Sequence, residues 1–422
     1  MKKVILLFFV MSLFFGAYTQ EVKKGFSFGA LPAISYESDL GFQYGALVNL
    51  YDYGDGKSFP AYNHSLYMEL STYTKGRVVA RVRYDTEKLI PKIRSTVDVS
   101  YITDPISDFY GFNGYQSVYN PDYSGTNKGF YGNSQAMFRA KTDFQGKFGH
   151  SHFGWVGGYS FYQFDVDTLN LSRLGRKYEG EGLFQKYRRW GLVEDDEASG
   201  GNLNYLKVGL KYDSRDQLAC PTRGIFTEAV IQAAPKYLNK NPHSKFSLIH
   251  RQYYSLAKDL VFAYRLDYQA TIGANKVPFY AQPLLTTSYL VAITNQGLGG
   301  KSSIRGALRN RIVGDDIAFG NFELRYKLIR FNFLKQSFYL GSNLFFDSGV
   351  ILQPIKIDFS KISNDERKLY FDEYESGKLH SALGLGLKIG WNENFVISTE
   401  YGRALNKQDG KSGVYIGLNY LF

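Results

Sequence analysis

The residue types that carry most enzyme chemistry are thinly placed in this chain. The six histidines, His64, His150, His152, His243, His250 and His380, are scattered, and only His150 and His152 lie close together. No Asp, Glu or Cys stands near that pair to complete a metal-ligand spacing, so the histidines read as surface or turn residues. No Gly-x-Ser-x-Gly element is present to raise a nucleophilic serine on a strand-to-helix turn. Cys220 is the sole cysteine, and its place before Pro221 reads as a packed turn position. The expectation is a protein that is not an enzyme, with no catalytic residue, no metal and no cofactor.

What does recur is charge at every second position. From Leu260 to Ala270, Phe262, Tyr264, Leu266, Tyr268 and Ala270 share one face while Ala263, Arg265, Asp267 and Gln269 share the other. Phe322, Leu324, Tyr326 and Leu328 alternate in the same way against Asn321, Glu323, Arg325 and Lys327, and Ala80, Val82 and Tyr84 against Arg81 and Arg83. Such strands put one face toward an apolar medium and the other toward water. Composition agrees: 422 residues carry 35 Tyr, 33 Phe, 3 Trp and 43 Gly but only 11 Pro. The mean hydropathy of −0.28 and the lack of a long apolar run after the N-terminus exclude a helical membrane protein. Neither excludes a membrane barrel, whose lipid-facing and lumenal residues average out.

At the N-terminus Lys2 and Lys3 precede the apolar run Val4 to Phe15, and Ala17-Tyr18-Thr19 offers a small-residue cleavage site. Residues 1–19 are therefore expected to be a signal peptide and 20–422 the exported chain. Period-two segments bounded by turn residues fall at 26–36, 40–51, 62–73, 78–87, 94–104, 133–145, 151–164, 203–213, 223–234, 245–257, 260–272, 316–328, 337–347, 380–391, 394–402 and 413–422. That makes sixteen strands. Apart from the terminal segments, the connections sort by length. All those longer than ten residues, 105–132, 165–202, 273–315 and 348–379, fall on one side. A sandwich has no reason to sort its loops; an outer-membrane barrel with short periplasmic turns and long outer loops does. The fold class predicted is all-β, a 16-stranded antiparallel transmembrane β-barrel. The last segment alternates Val414, Ile416, Leu418, Tyr420 and Phe422 up to a terminal aromatic. Leu418, Tyr420 and Phe422 resemble the C-terminal signal by which assembly machinery recognises outer-membrane barrels.

The stretch LGGKSSIRGALRNRIVGD (298–315) lies in the connection 273–315, too long for a plain turn. With the following FGNFELRYKL it resembles the signature of the BamA/TamA-like outer-membrane assembly and translocation superfamily, the bacterial surface antigen type. That family carries a (Val/Ile)-Arg-Gly-aromatic tip on its sixth extracellular loop, between strands eleven and twelve, where the strand count also puts this stretch. The resemblance implies that the loop folds into the lumen, with Ile304, Arg305 and Gly306 as the docking motif and Glu323 and Asp347 as lumenal carboxylate partners. Charge-assisted hydrogen bonds of that kind are worth roughly 1.5–3 kcal/mol each. YDSRDQLACPTRGIF (Tyr212 to Phe226) resembles the family's periplasmic turn between strands eight and nine, with Asp213, Arg215, Pro221 and Gly224 in place. The resemblance covers residues 200–422 well, and the first half through its strand pattern. Two departures stand out. Ala307 replaces the usual aromatic, which predicts looser loop anchoring, and only about six residues separate the predicted cleavage site from the first strand, so no POTRA domain is expected.

The resemblance implies assistance in the insertion or translocation of proteins or lipids at the bacterial outer membrane, through a lateral seam between the first and last strands. Gly29, Pro32, Gly413 and Gly417 weaken pairing there. The expected partners are outer-membrane lipid and lipopolysaccharide, unfolded barrel or secreted clients, unidentified periplasmic or surface proteins, and a second copy through the seam. The basic and aromatic segment Arg176 to Trp190 suits lipopolysaccharide phosphates better than nucleic acid, which is not expected as a ligand. The alternatives are an anion-preferring channel lined by Arg81, Arg83, Arg265, Arg325 and Lys327, or a structural barrel that scaffolds an outer-membrane complex.

Overall fold

The computed structural model describes residues 23–422 except 58, 60, 126–128, 170–179, 219, 274–275, 289–291, 334–335, 373–376 and 392–394. The expected signal peptide lies outside the described residues. Sixteen antiparallel strands close a barrel. They are β1 (Phe26–Glu37), β2 (Gly41–Asp52), β3 (His64–Tyr73), β4 (Val78–Ile90), β5 (Ile93–Ser107), β6 (Asn133–Lys147), β7 (Phe153–Asp167), β8 (Gly200–Asp213), β9 (Gly224–Ala234), β10 (His243–Ala257), β11 (Leu260–Ile272), β14 (Asp316–Phe333), β15 (Gln336–Gln353), β16 (His380–Trp391), β17 (Phe395–Ala404) and β18 (Ser412–Leu418). A small hairpin, β12 (Leu284–Ser288) and β13 (Ala292–Asn295), sits within the connection from β11 to β14. Three short helices, α1 (Pro121–Gly125), α2 (Leu183–Arg189) and α3 (Asn364–Tyr370), lie in other long connections. Among the described residues no helix is long and apolar enough to cross a membrane.

The alternation resolves as polar inside, apolar outside. In β11, Arg265, Asp267 and Gln269 are buried in the lumen while Leu266 stands exposed on the outer wall. Leu206, Val208 and Leu210 of β8 and Leu383, Leu385, Leu387 and Ile389 of β16 are likewise exposed, giving an outer surface suited to lipid. The predicted strand segments match the observed strands closely, with β14 and β15 running five or six residues further at one end than expected.

The described parts of the long connections pack together rather than trail into solvent. Phe109, Phe112, Phe130, Tyr131, Phe184, Tyr187, Trp190, Phe279 and Phe371 pack into one aromatic cluster that joins four of them at the long-loop end of the barrel. Tyr187 stacks edge-on against Phe109 and Phe112, and its hydroxyl bonds to Ser117 Oγ at 2.6 Å. Trp190 Nε1 donates to Glu366 Oε2 at 3.1 Å, tying α2 to α3.

Candidate functional site

Within 273–315 the backbone closes on itself before it meets the wall. Leu298 and Ile312 exchange backbone bonds of 2.9 and 3.2 Å, and Gly300 N donates to the Ala307 carbonyl at 2.9 Å. Leu298, Ile304, Ala307 and Ile312 pack with Ile317, Phe319, Ile351 and Ala382 of the wall. At the tip, Arg305 is fully buried. Its Nε and Nη2 donate to Asp347 Oδ2 and Oδ1, each at 2.8 Å, and its backbone N–H reaches Oδ2 at 3.0 Å. Its Nη1 donates to Glu323 Oε1 at 2.7 Å and to Glu400 Oε1 at 2.9 Å. A planar guanidinium thus satisfies carboxylates on three strands, β14, β15 and β17.

Ile304, Arg305, Gly306, Glu323 and Asp347 are therefore in one cluster. Glu400, Asn321, Phe345 and Tyr415 complete it and were not among the expected residues. Lys388 Nζ donates to Glu400 at 2.6 Å and to Ser398 Oγ, so Glu400 is shared by two cations. Asn321 Nδ2 bonds to Asp347 Oδ1 at 2.7 Å and to the Ser303 carbonyl at 2.6 Å. The anchoring does not depend on an aromatic ring at position 307. Ala307 is 3% exposed in the apolar cluster, and the ring beneath Arg305 comes from Phe345, whose centroid lies 3.5 Å from the guanidinium carbon. Gly306 takes φ +105°, and a Cβ there would stand 2.6 Å from the Gly402 carbonyl carbon. The approach is reciprocal: a Cβ on Gly402 would meet the Arg305 carbonyl oxygen at 2.3 Å.

Two more arginines hold the loop nearer the long-loop end. Arg309 bonds to Asp104 at 2.8 Å and Asp108 at 3.1 Å. Burial disfavours its charge, yet Asp104 and Asp108 outweigh that and raise its pKa above the ordinary value. Arg311 donates to the Gln408, Gly114 and Ser117 carbonyls at 2.6, 2.8 and 2.8 Å.

The loop tip lies against the place where the barrel closes. β1 and β18 pair only at Tyr36 with Ile416 and Glu37 with Tyr415. Gly306 N donates to Tyr415 Oη at 3.0 Å on the β18 side, and Lys301 Nζ reaches Glu37 Oε1 at 3.4 Å on the β1 side. Below those two pairs, Phe26–Ser35 pairs with β2 alone. The last strand also ends earlier than its alternation predicts, at Leu418 rather than 422. Asn419 adopts φ 65°, which turns the backbone inward, and Tyr420 and Phe422 are buried at 7% exposure each. The turn has a cause in charge. Arg325 lies 4.3 Å from the Tyr420 ring and 4.8 Å from the Phe422 ring, and its Nη2 donates to the Phe422 carbonyl at 3.0 Å. Arg325 also bonds to Glu323 at 2.8 Å, so one carboxylate serves both the loop and the tail.

The short-turn motif is held by an internal ion pair and by contacts to the wall. Arg215 Nε and Nη2 donate to the Asp213 carboxylate at 2.9 and 2.8 Å, and its guanidinium covers Phe226 at 4.6 Å. Gly224 takes φ +104°, where a Cβ would meet the Ser214 carbonyl oxygen at 2.3 Å. Cys220 is buried near Tyr339 Oη at 3.9 Å, and Pro221 is buried beside it.

Three of the five cations expected to line the lumen stand beside carboxylates. Arg81 pairs with Asp98 at 2.5 Å, Arg265 lies 3.5 Å from Asp267, and Arg325 is held by Glu323. Each of these three has a carboxylate on its own strand or the next, which offsets its charge in the lumen.

The Omp85 superfamily domain profile matches residues 68–422. Among solved structures, the chain is similar to BamA from Haemophilus ducreyi lacking POTRA domains 1–3, with a TM-score of 0.58 at 14% identity over 94% of this chain and 70% of that one. It is also similar to CdiB from Escherichia coli, with a TM-score of 0.57 at 11% identity over 95% of this chain and 63% of that one, so it spans less than two thirds of CdiB. No curated protein sequence matches it. With a closed sixteen-strand barrel and a family profile that covers most of its length, the chain is an integral outer-membrane protein and belongs to the Omp85 superfamily.

Proposed function

We propose that this barrel assists the insertion or translocation of proteins at the outer membrane, using the β1 edge below the two-pair seam as the place where a client strand adds. Superfamily membership supports the general role. The observation that carries the finer reading is the edge itself: Phe26–Ser35 pairs with β2 on one side and has no β18 partner on the other. A strand edge with unpaired backbone groups is a template for another strand. The docked loop contributes by fixing β14, β15 and β17 to one guanidinium, so that the wall beside the seam stays rigid while the seam does not. Outer-membrane lipid at the outer wall and an unfolded barrel or secreted client at the edge are the partners this reading requires.

The channel alternative is disfavoured by the aromatic cluster at the long-loop end and by the paired lumenal cations. The test is the folding rate of an unfolded client barrel in liposomes carrying this protein, with empty liposomes and Arg305→Ala liposomes as controls. The expected result is acceleration by the native chain and loss of it in the variant. Equal rates in all three would remove the insertion reading.

A further inference from the structure

Arg83 differs from the three lumenal arginines that lie beside carboxylates. It is half-buried on β4, on the lumenal face with Arg81 and Asp85, while Val82 between them stands exposed on the outer wall. Among the described residues Arg83 makes no hydrogen bond or ion pair. The register places Asp98 of β5 directly across from it. Asp98, however, gives one oxygen to Arg81, whose Nε lies at 2.7 Å, and the other to Arg139 Nη2 at 2.8 Å. Asp85, two residues along β4, is equally committed. Arg94 Nε donates to its Oδ1 at 2.7 Å, Arg94 Nη2 to Oδ2 at 2.6 Å and Tyr62 Oη to Oδ2 at 3.1 Å. Glu69 on β3 accepts from Tyr67 Oη at 2.6 Å, Ser71 Oγ at 2.8 Å and Gln43 Nε2 at 3.1 Å. Four arginines thus face three carboxylates, and the one left over is Arg83.

Arg83 borders a recess of about 290 Å³ on the inner wall of β2 to β5, toward the short-turn end. Arg81 and Arg94 border it too. Each spends Nε and Nη2 on its own carboxylate, which leaves the Nη1 side of the fork. Tyr51, Ser65 and Asn49 add hydroxyl and amide groups to the lining. The carboxylate in the lining, Asp85, is already occupied. What the recess offers an incoming group is therefore mainly donors, three of them cationic. A planar fork of N–H groups matches two oxygens of an oxyanion.

Size and lining narrow the class. A lone phosphate, of a size with a few waters at ~30 Å³ each, would leave most of the 290 Å³ empty. Tyr51 and Tyr62, with ring centroids 5.5 Å apart, set flat apolar faces beside the donors. Aromatic faces flanked by amide and hydroxyl groups suit a sugar ring, apolar on its C–H faces and polar at its rim.

We propose that this recess binds a phosphorylated hexose, with Arg83 gripping the phosphate and Tyr51, Tyr62 and Asn49 holding the sugar. The source is a soluble sugar phosphate or the phosphorylated sugar headgroup of a lipid, and the chemistry recognised is the same. The site does not depend on strand addition at β1.

The test is titration calorimetry on the full chain in detergent micelles, with glucose 6-phosphate, inorganic phosphate and glucose as probes. We expect saturable binding of glucose 6-phosphate that weakens with added salt, is tighter than that of phosphate and is absent for glucose. Arg83→Met should weaken it at least about tenfold, the lower end of what a charge-assisted hydrogen bond contributes. The unfolding midpoint should stay near that of the native chain, because Arg83 holds no other residue in place. Arg83→Lys, which keeps the charge without the fork, should recover only part of the loss. Lys57→Gln removes an exposed cation from the adjoining short turn and should leave binding unchanged. Absence of glucose 6-phosphate binding overturns the proposal. So does an equal loss in Arg83→Met and Lys57→Gln, which would reveal general attraction to a basic mouth. Phosphate binding as tightly as glucose 6-phosphate overturns the sugar assignment. Repeating the titration in phosphatidylcholine vesicles with and without a phosphorylated glucosamine lipid separates the sources: competition by the lipid identifies the headgroup, and an unaltered titration identifies the soluble sugar phosphate.

Discussion

Two strand interfaces in this barrel are built from similar residues and end up very different. β14 and β15 pair from Asp316–Gln353 down to Phe333–Gln336, interrupted by two register shifts, while β1 and β18 pair at two positions. Both interfaces present apolar residues outward. The difference lies in what stands behind them. Behind β14 and β15, Arg305 draws Glu323 and Asp347 onto one buried cation. At β1 and β18, Val414 N donates to Ser38 Oγ, Lys301 holds Glu37 and the Tyr415 hydroxyl accepts from Gly306 N, while the end of the chain turns away to other cations. Strand pairing in this wall is set by lumenal charge as much as by local strand propensity.

The contrast can be broken most severely at its centre. Arg305→Ala leaves Glu323, Asp347 and Glu400 buried around a void, and loss of one partner from a buried ionic cluster costs about 3–5 kcal/mol. The expected outcome is a lower unfolding midpoint in liposomes together with new protease cleavage within 273–315; unchanged cleavage would sink the docked-loop account. Glu400→Gln is milder, because Asp347 and Glu323 still hold Arg305 while Lys388 loses its carboxylate. The destabilisation expected is on the order of 1.5–3 kcal/mol, with the loop still protected. Cleavage matching that of Arg305→Ala would show that Glu400, and not the pair on β14 and β15, is the main anchor. At the seam, Lys301→Ala removes a partly exposed ion pair at 3.4 Å, and the effect should stay within about 0.2–1 kcal/mol and shrink with added salt. A larger, salt-independent loss would mean that the seam is clamped by the loop more firmly than its geometry implies.

Much of the wall was legible because each strand meets two unlike media, so polarity alternates residue by residue and the turns interrupt it. β11 is the clearest case: Arg265, Asp267 and Gln269 were readable as one face, and that face is the lumen. What alternation could not supply is which charge meets which. Arg81, Arg265 and Arg325 read as free cations because whether Asp98, Asp267 and Glu323 stand beside them depends on geometry and register fixed only when the barrel closes. Glu400 escaped notice for the same reason, although Ser398, Glu400 and Gly402 alternate inward along β17 and a search for lumenal carboxylates on every strand would have found it. The tail shows the opposite failure. Its local pattern is a faultless strand to the last residue, and what seats it inside is distant in sequence: Arg325, Lys388 and Arg265 against the rings, with Cys220, Tyr339 and Tyr253 packed beside them. The aromatic cluster had no periodic signature, since most of its rings come from four separate loops, with Tyr162, Phe164 and Tyr205 added from β7 and β8.

The aromatic cluster bears on leak through the barrel. An ion crossing from outside would have to shed its hydration shell to pass between Phe109, Phe184, Tyr187 and Trp190, which pack with ring centroids 5.1–5.6 Å apart. Among the described residues these rings form a packed layer across the long-loop connections, so a flux measurement on the native chain in liposomes should show less ion leak than a variant with Phe109, Phe184 and Tyr187 cut to alanine.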